Sequence, residues 1–371
     1  MQYFVIFIQK YHLARRGDSS TMTFMRQLLA LAVVFFLSSL PLFADNNDPH
    51  QTVRVALQHE LEDFTALQLP VPPIPEGTRV FVPACGPSVQ IYRDDLKKIG
   101  DWKNGPYVHR MGYLTLQTSE HSPQKLAVNV FFPRQPPQGT LLFVHGYMSH
   151  AANFSYTFSW FVERGWIVTT LDLPGHGVSD GPRGDISDFS VYGDAVELWM
   201  KWVWSQPWPG PKNILAHSLG TAACLEALRR PQTPQPDKIA FCAPLLRTVW
   251  YPAVTLGTAL VGWCLPYVPS RFSWDHYLDG EQVPLHWVTA LTRWLERLKH
   301  QPPLDLPLTI YSGNRDTVVD QGWNRQEYLR LVPRLKYVLL PGKGHLFISD
   351  REDRQAFHER LFHDWQCAPR P

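Results

Sequence analysis

Ile214-Leu-Ala-His-Ser-Leu-Gly-Thr-Ala-Ala223 is the stretch that decides how the rest of the chain is read. Lys212-Asn213 leads into the apolar pair Ile214-Leu215, and Ser218 then lies between two small residues, Ala216 and Gly220. A serine flanked in this way predicts the end of a buried strand, a sharp turn and the start of a helix, with the hydroxyl pushed into the open. Strand and helix come so close at such a turn that only small side chains fit on either side. Ala216 stands where glycine is more usual, and it meets the same steric demand. A serine on this turn acts as a nucleophile only if the chain also supplies a base, an acid and donors for a developing oxyanion. The plain alternative is an ordinary serine at the start of a helix.

Working outward, the chain alternates strands and helices. Gly112–Thr118 and Lys125–Phe132 alternate like an antiparallel hairpin. Thr140-Leu-Leu-Phe-Val144 is a short continuous apolar run, as expected for a parallel strand buried on both faces. Further strands are predicted at Trp166–Leu171, at the stretch before Ser218, and at Lys238–Ala243, Leu308–Ser312 and Lys336–Leu340. Helices are predicted over Asn153–Arg164, Val191–Trp204, 219–230, 321–331 and Asp350–Trp365. The alternation predicts an α/β fold, with a mostly parallel central sheet flanked by helices on both faces. Between strands 238–243 and 308–312 it breaks for roughly 60 residues, and the insertion there, 247–300, is long enough to be read as a functional lid. Within it Ala253–Leu265 is apolar almost throughout, but at about 13 residues it is too short to cross a bilayer. Leu285–Lys299 carries Val288, Leu291, Leu295 and Leu298 at helical spacing beside Trp287 and Trp294.

Three segments precede or contain this pattern. Residues 1–44 read as a signal-peptide region. A short basic stretch at Met25-Arg-Gln precedes an apolar run from Leu28, and a small residue at Ala44 precedes acidic Asp45. Translation could then start at Met22 or Met25, and an exported protein, periplasmic or secreted, is expected. The alternative is a membrane anchor over 28–43, which as a helix would span about 24 Å against a ~30 Å hydrocarbon core. Residues 45–106 are read as an N-terminal extension, Pro-rich in part, with Val53–Leu67 as one amphipathic helix. Residues 107–371 are the domain proper, with the insertion at 247–300.

Composition narrows the function. Hydrophobic residues are 44% and charged residues 18% of 371, which fits a chain with a sizeable core. A net charge of +2 does not suggest a nucleic-acid partner. Five cysteines (85, 224, 242, 264, 367) show neither C-x-x-C nor Cys/His metal spacing, so no metal is implied. Cys224 and Cys242 fall in core elements and are expected to be buried thiols.

Ligands on open α/β sheets bind beyond the carboxyl ends of the strands. Ser218, Asp316 and His345 each follow a predicted strand, in the order expected for a nucleophile, acid and base on such a sheet. His345 would take the serine proton, and Asp316 would hold the ring in the right tautomer. The oxyanion donors would be the backbone amides of Leu219, after the serine, and Tyr147, after strand 140–144. Asp320 competes with Asp316 but reads better as a helix cap. Asp172 and His176 read as a structural turn, His145 as a loop-ordering residue and His217 as a neighbour of the serine.

Phe143-Val-His-Gly-Tyr147, Leu171–Gly181 with Pro182-Arg-Gly-Asp185, Ala216-His-Ser-Leu-Gly220, Gly313-Asn-Arg-Asp316 and Gly342-Lys-Gly-His345 together resemble the α/β-hydrolase superfamily. Within it the chain most resembles the branch of monoacylglycerol lipases, lysophospholipases and serine aminopeptidase-like hydrolases. The resemblance runs from about Tyr107 to Trp365. It implies a serine hydrolase that cleaves carboxylic esters through an acyl-enzyme and needs no cofactor. The apolar insertion suggests a small-molecule, lipid-like ester as substrate and transient contact with a membrane surface. A serine aminopeptidase of the proline-iminopeptidase kind is the alternative within the enzymes. A catalytically silent, ligand-binding hydrolase fold is the alternative outside them.

Overall fold

The strands that read as continuous apolar runs form the middle of the sheet. The computed structural model describes residues 56, 60–66, 68–69, 71, 92, 94, 96, 107–117, 122–249, 251–261, 266–269 and 282–367. The expected leader or anchor, Cys85 and Cys264 lie outside the described residues. Among them, β1 (Glu62–Asp63), β2 (Val108–Leu116), β3 (Gln124–Phe132), β4 (Gly139–Val144), β5 (Trp166–Leu171), β6 (Lys212–His217), β7 (Lys238–Cys242), β10 (Leu308–Gly313) and β11 (Lys336–Leu340) make one sheet. Its order is β1-β2-β3-β5-β4-β6-β7-β10-β11. Every pairing from β5 through β11 is parallel, and β3 is antiparallel to both β2 and β5. All six residues of β4 and of β5 are buried, because helices cover both faces.

On one face lie α2 (Ser190–Ser205) and α3 (Leu219–Leu228), whose Trp199, Met200, Ala222 and Cys224 join one apolar cluster with Leu142 and Ile214 of the sheet. The other face is covered by α1 (Ser155–Val162) and α7 (Arg354–Cys367), through Phe158, Phe161, Leu361 and Trp365. Burying each such aromatic or aliphatic side chain is worth about 1.5–3 kcal/mol, which is why the helices settle on the sheet rather than in water. Trp199 and Trp202 of α2 are packing residues. Trp199 also donates from Nε1 to Thr169 Oγ1 at 3.2 Å, so its polar atom is satisfied. Cys224 and Cys242 are free, buried thiols, as expected.

The expected helix over Val53–Leu67 is not what forms. Residues 56 and 60 are helical, but Glu62–Asp63 pair in parallel with Gly112–Tyr113 on the edge of β2. Phe64 follows, fully buried and stacked on Trp202 with ring centroids 5.3 Å apart. The helical spacing of apolar residues loses to two tertiary gains, a buried ring and partners for an edge strand's backbone groups. Gly112 makes this possible, since a Cβ there would come within 2.4 Å of the Glu62 carbonyl.

The insertion contains α4 (Tyr251–Val261), a short antiparallel pair β8 (Tyr267–Pro269) and β9 (Gln282–Pro284), and α5 (Leu285–Lys299). The last has the boundaries its periodicity predicts. Trp287, Leu291, Trp294 and Leu298 are buried in the same cluster as α2 and α3. Trp294 Nε1 donates to Glu226 at 2.8 Å and Trp287 Nε1 to the Tyr192 hydroxyl at 3.2 Å. This helix is therefore bedded into the body, whereas α4 presents the exposed Leu256. The helix predicted over 321–331 forms as α6 (Gln321–Leu331), capped by Asp320.

Candidate active site

The turn between β6 and α3 puts Ser218 at φ 51°, ψ −116°, a backbone conformation that side-chain-bearing residues seldom adopt. The surroundings hold it there. Its N–H donates to the Cys242 carbonyl at 3.0 Å, and its own carbonyl accepts from Thr221 Oγ1 at 2.7 Å. Such strain persists only where neighbouring contacts over-determine it. Gly220 is required because a Cβ there would lie 2.5 Å from the Val144 carbonyl and 2.6 Å from that of His145. The elbow serine is thus wedged against the end of β4.

Asp316 follows β10 in a tight turn. Its Oδ1 accepts the amides of Val318 (2.8 Å) and Val319 (3.0 Å), and its Oδ2 lies 2.8 Å from Nδ1 of His345. Burial alone would raise the carboxyl's pKa. The hydrogen bond and charge of His345, together with the two amides, outweigh it and hold the group below the ordinary carboxylate range. With Nδ1–H given to a carboxylate, Nε2 of His345 is left as the unprotonated nitrogen. The loop carrying His345 is tied to the Asp316 turn by Arg315 N donating to the Lys343 carbonyl and Asn314 Oδ1 accepting from Gly342 N. Asp320 is placed elsewhere. It caps α6 by accepting the Trp323 amide at 3.0 Å and pairs with Arg247 at 2.6 Å.

Tyr147 sits in the turn after β4. Its hydroxyl donates to the Gly184 carbonyl at 2.6 Å, and its ring lies 4.2 Å from that of Trp287. Both contacts fix the turn against the body and the insertion. Leu219 is the first residue of α3, where N–H groups have no intrahelical acceptor and the helix dipole is positive. Ser218, His345, Tyr147, Phe154, Val283 and Val318 line one cavity of about 160 Å³. The structure therefore brings Ser218, His345 and Asp316 together from three strand ends, with the Gly146–Tyr147 turn beside them. Asp172 is a structural residue, accepting the amides of Ala151 (2.9 Å) and Val178 (3.1 Å). His145 orders its loop by accepting the Leu173 amide at Nε2, 2.9 Å away. Fully buried His176 is held neutral by that burial, with its pKa well below the usual value.

From the sequence alone His217 is only a neighbour of the serine. In the structure its Nε2 lies 3.1 Å from the carbonyl oxygen of His345. Nothing in the local pattern announces a contact across 128 residues.

The same fold occurs in solved structures. A soluble variant of monoglyceride lipase from Saccharomyces cerevisiae, in complex with a substrate analog, superposes with a TM-score of 0.54 at 17% identity, over 67% of this chain and 93% of that one. The chain has the α/β-hydrolase fold. A family model described as serine aminopeptidase, S33, matches residues 135–274 of this chain. Phospholipase YtpA of Bacillus subtilis (strain 168) is 26% identical over 110 residues, 30% of this chain and 42% of that protein. The monoacylglycerol lipase of Mycolicibacterium smegmatis is 29% identical over 96 residues, 26% of this chain and 34% of that protein. The chain is thus similar to a phospholipase and a monoacylglycerol lipase in sequence and to a monoglyceride lipase in fold, and it spans less than half the length of these two curated relatives.

Proposed function

We propose that this hydrolase cleaves carboxylic esters of lipid-like molecules through an acyl-enzyme on Ser218. The observation that carries the reading is the Asp316–His345 hydrogen bond opening on the cavity that Ser218 lines. His345 Nε2 takes the Ser218 proton as Oγ attacks the ester carbonyl. Asp316 stabilises the imidazolium, and the amides of Tyr147 and Leu219 receive the oxyanion. The imidazolium then protonates the leaving alcohol, and a water activated by the same ring releases the acid. A fluorophosphonate probe tests the reading. Labelling of the wild type at Ser218, absent in Ser218→Ala, supports it, and an unlabelled wild type returns the chain to the silent, ligand-binding alternative.

The acyl side is supported by the cavity wall. Phe154, Val283 and Val318 are apolar, and among the described residues no carboxylate lines the cavity. At about 160 Å³ the cavity is below the ~300 Å³ of an ordinary ligand pocket, so a long acyl chain would extend beyond it. Exposed Leu256 and Tyr267 on that insertion suit transient contact with a membrane surface. Among the described residues no helix is long and apolar enough to cross one.

The family model's description favours a second reading, an aminopeptidase. That activity needs a carboxylate near the nucleophile for the substrate's ammonium, because an unpaired buried charge is costly. Glu296 cannot serve, as it lies on the exposed side of α5 paired with Lys299. The remaining acids of the insertion, Asp275, Asp279 and Glu281, lie outside the described residues. With each buried CH₂ worth about 0.8 kcal/mol, kcat/KM is expected to rise from acetyl to about ten-carbon acyl esters, and aminoacyl-arylamides are expected to be poor substrates. Flat or falling activity with chain length, together with rapid release of an N-terminal proline, would promote the peptidase.

The reading of the N-terminus as a cleaved leader is also a proposal. Intact-mass measurement of exported protein should give a mature N-terminus near Asp45, and a membrane-bound species retaining Leu28–Phe43 would argue for the anchor.

A further inference from the structure

We infer that His217 is a positioning residue, a neutral strut that sets His345 and the Gly146–Tyr147 turn at fixed distances from Ser218; this rests on the ester-hydrolase reading above. Three contacts carry the inference. Nε2–H of His217 donates to the backbone carbonyl of His345 at 3.1 Å, tying the base's own residue to the one preceding the nucleophile. The two imidazole rings lie 4.9 Å apart, in a tilted arrangement. On its other side, Nδ1 of His217 has no hydrogen-bond partner among the described residues and lies against Gly146, where a Cβ would come within 3.0 Å of it and 3.1 Å of the Ser218 Cβ. One ring therefore spans the nucleophile strand, the base loop and the turn proposed to hold the oxyanion.

The strut works because it carries no charge. Burial first, and the neighbouring His345 second, push its pKa down to about 3. A neutral ring with Nε2 donating leaves Nδ1 as the acceptor nitrogen, packed against Gly146. A cationic ring at this position would oppose formation of the His345 imidazolium during acyl transfer. A neutral donor restrains the base loop through its backbone without that penalty.

The test compares His217→Phe, which fills similar space without a donor, with His217→Gln, which keeps an N–H close to the Nε2 position. A misplacement of the base by about 1 Å costs on the order of 10²-fold. His217→Phe is accordingly expected to lose about 10- to 100-fold in kcat, with KM within about twofold of wild type. His217→Gln should recover most of that loss. Fluorophosphonate labelling of Ser218 should slow in His217→Phe by the same factor as kcat. A His217→Phe protein with near-normal kcat and labelling rate overturns the inference, as does His217→Gln falling as far as His217→Phe. If His217→Phe does not fold, His217→Asn and His217→Gln replace it. Only glutamine has the reach to meet the His345 carbonyl, so equal rates in those two variants overturn the strut. The ester-hydrolase reading fails separately, by absence of labelling in the wild type.

Discussion

Ser218→Ala is expected to lower kcat/KM by on the order of 10⁴-fold or more on every ester the wild type hydrolyses. The loss is large because, in the mechanism proposed above, the serine oxygen is the atom that forms the acyl bond. What remains is rate enhancement from binding and from the oxyanion donors alone. The variant should fold. Ser218 holds its unusual backbone through its N–H and carbonyl, bonded to Cys242 and Thr221, and a methyl side chain leaves both bonds in place. Unchanged thermal unfolding with lost turnover separates chemistry from stability. Near-normal turnover in Ser218→Ala would remove the acyl-enzyme mechanism altogether.

Asp316→Asn is expected to fall by about 10⁴-fold in kcat, although it changes one oxygen to nitrogen at the edge of the site. The reason is a forced tautomer. In the wild type, Oδ1 accepts the Val318 and Val319 amides while Oδ2 faces His345 Nδ1. An asparagine must keep its oxygen toward the two amides, since turning its NH₂ there would set donor against donor. The NH₂ then points at Nδ1 of His345 and drives the ring's proton onto Nε2. The ring can no longer accept the proton of Ser218. Asp316 is held below the ordinary carboxylate range, so in the wild type it stays ionised at neutral pH and the correct tautomer persists. Kinetics alongside proton-detected NMR of the ring nitrogens would check both halves of the argument. A variant with the wild-type tautomer and a lost rate would place Asp316's contribution elsewhere.

The elements legible in the sequence are those whose signal is local. The runs at 140–144 and 166–171 are apolar without alternation because both faces of those strands are covered, and they form β4 and β5. Leu285–Lys299 repeats its apolar residues at helical spacing, and α5 has those limits. Asp320 precedes a helix and caps it. The small residues around Ser218 identify a tight turn because steric exclusion acts between neighbours in the chain. The sequence also sets Ser218, Asp316 and His345 each just past a strand, and a parallel sheet gathers all such ends on one side.

Other features depend on groups far apart in the chain. Glu62–Asp63 looks helical in isolation and becomes strand because β2 offers an unpaired edge and Trp202 offers Phe64 a stacking partner. That Asp316 and His345 stand 2.8 Å apart follows from β10 and β11 being adjacent, with their loops cross-bonded through Arg315 and Lys343. The tether from His217 to His345 has no counterpart in spacing or composition. The amino-acid sequence determined which residues could carry the chemistry, since turn sterics and burial periodicity act over a few residues. Only the tertiary structure decided which of them meet, because a hydrogen bond between distant segments depends on strand order and loop closure, which no local pattern records.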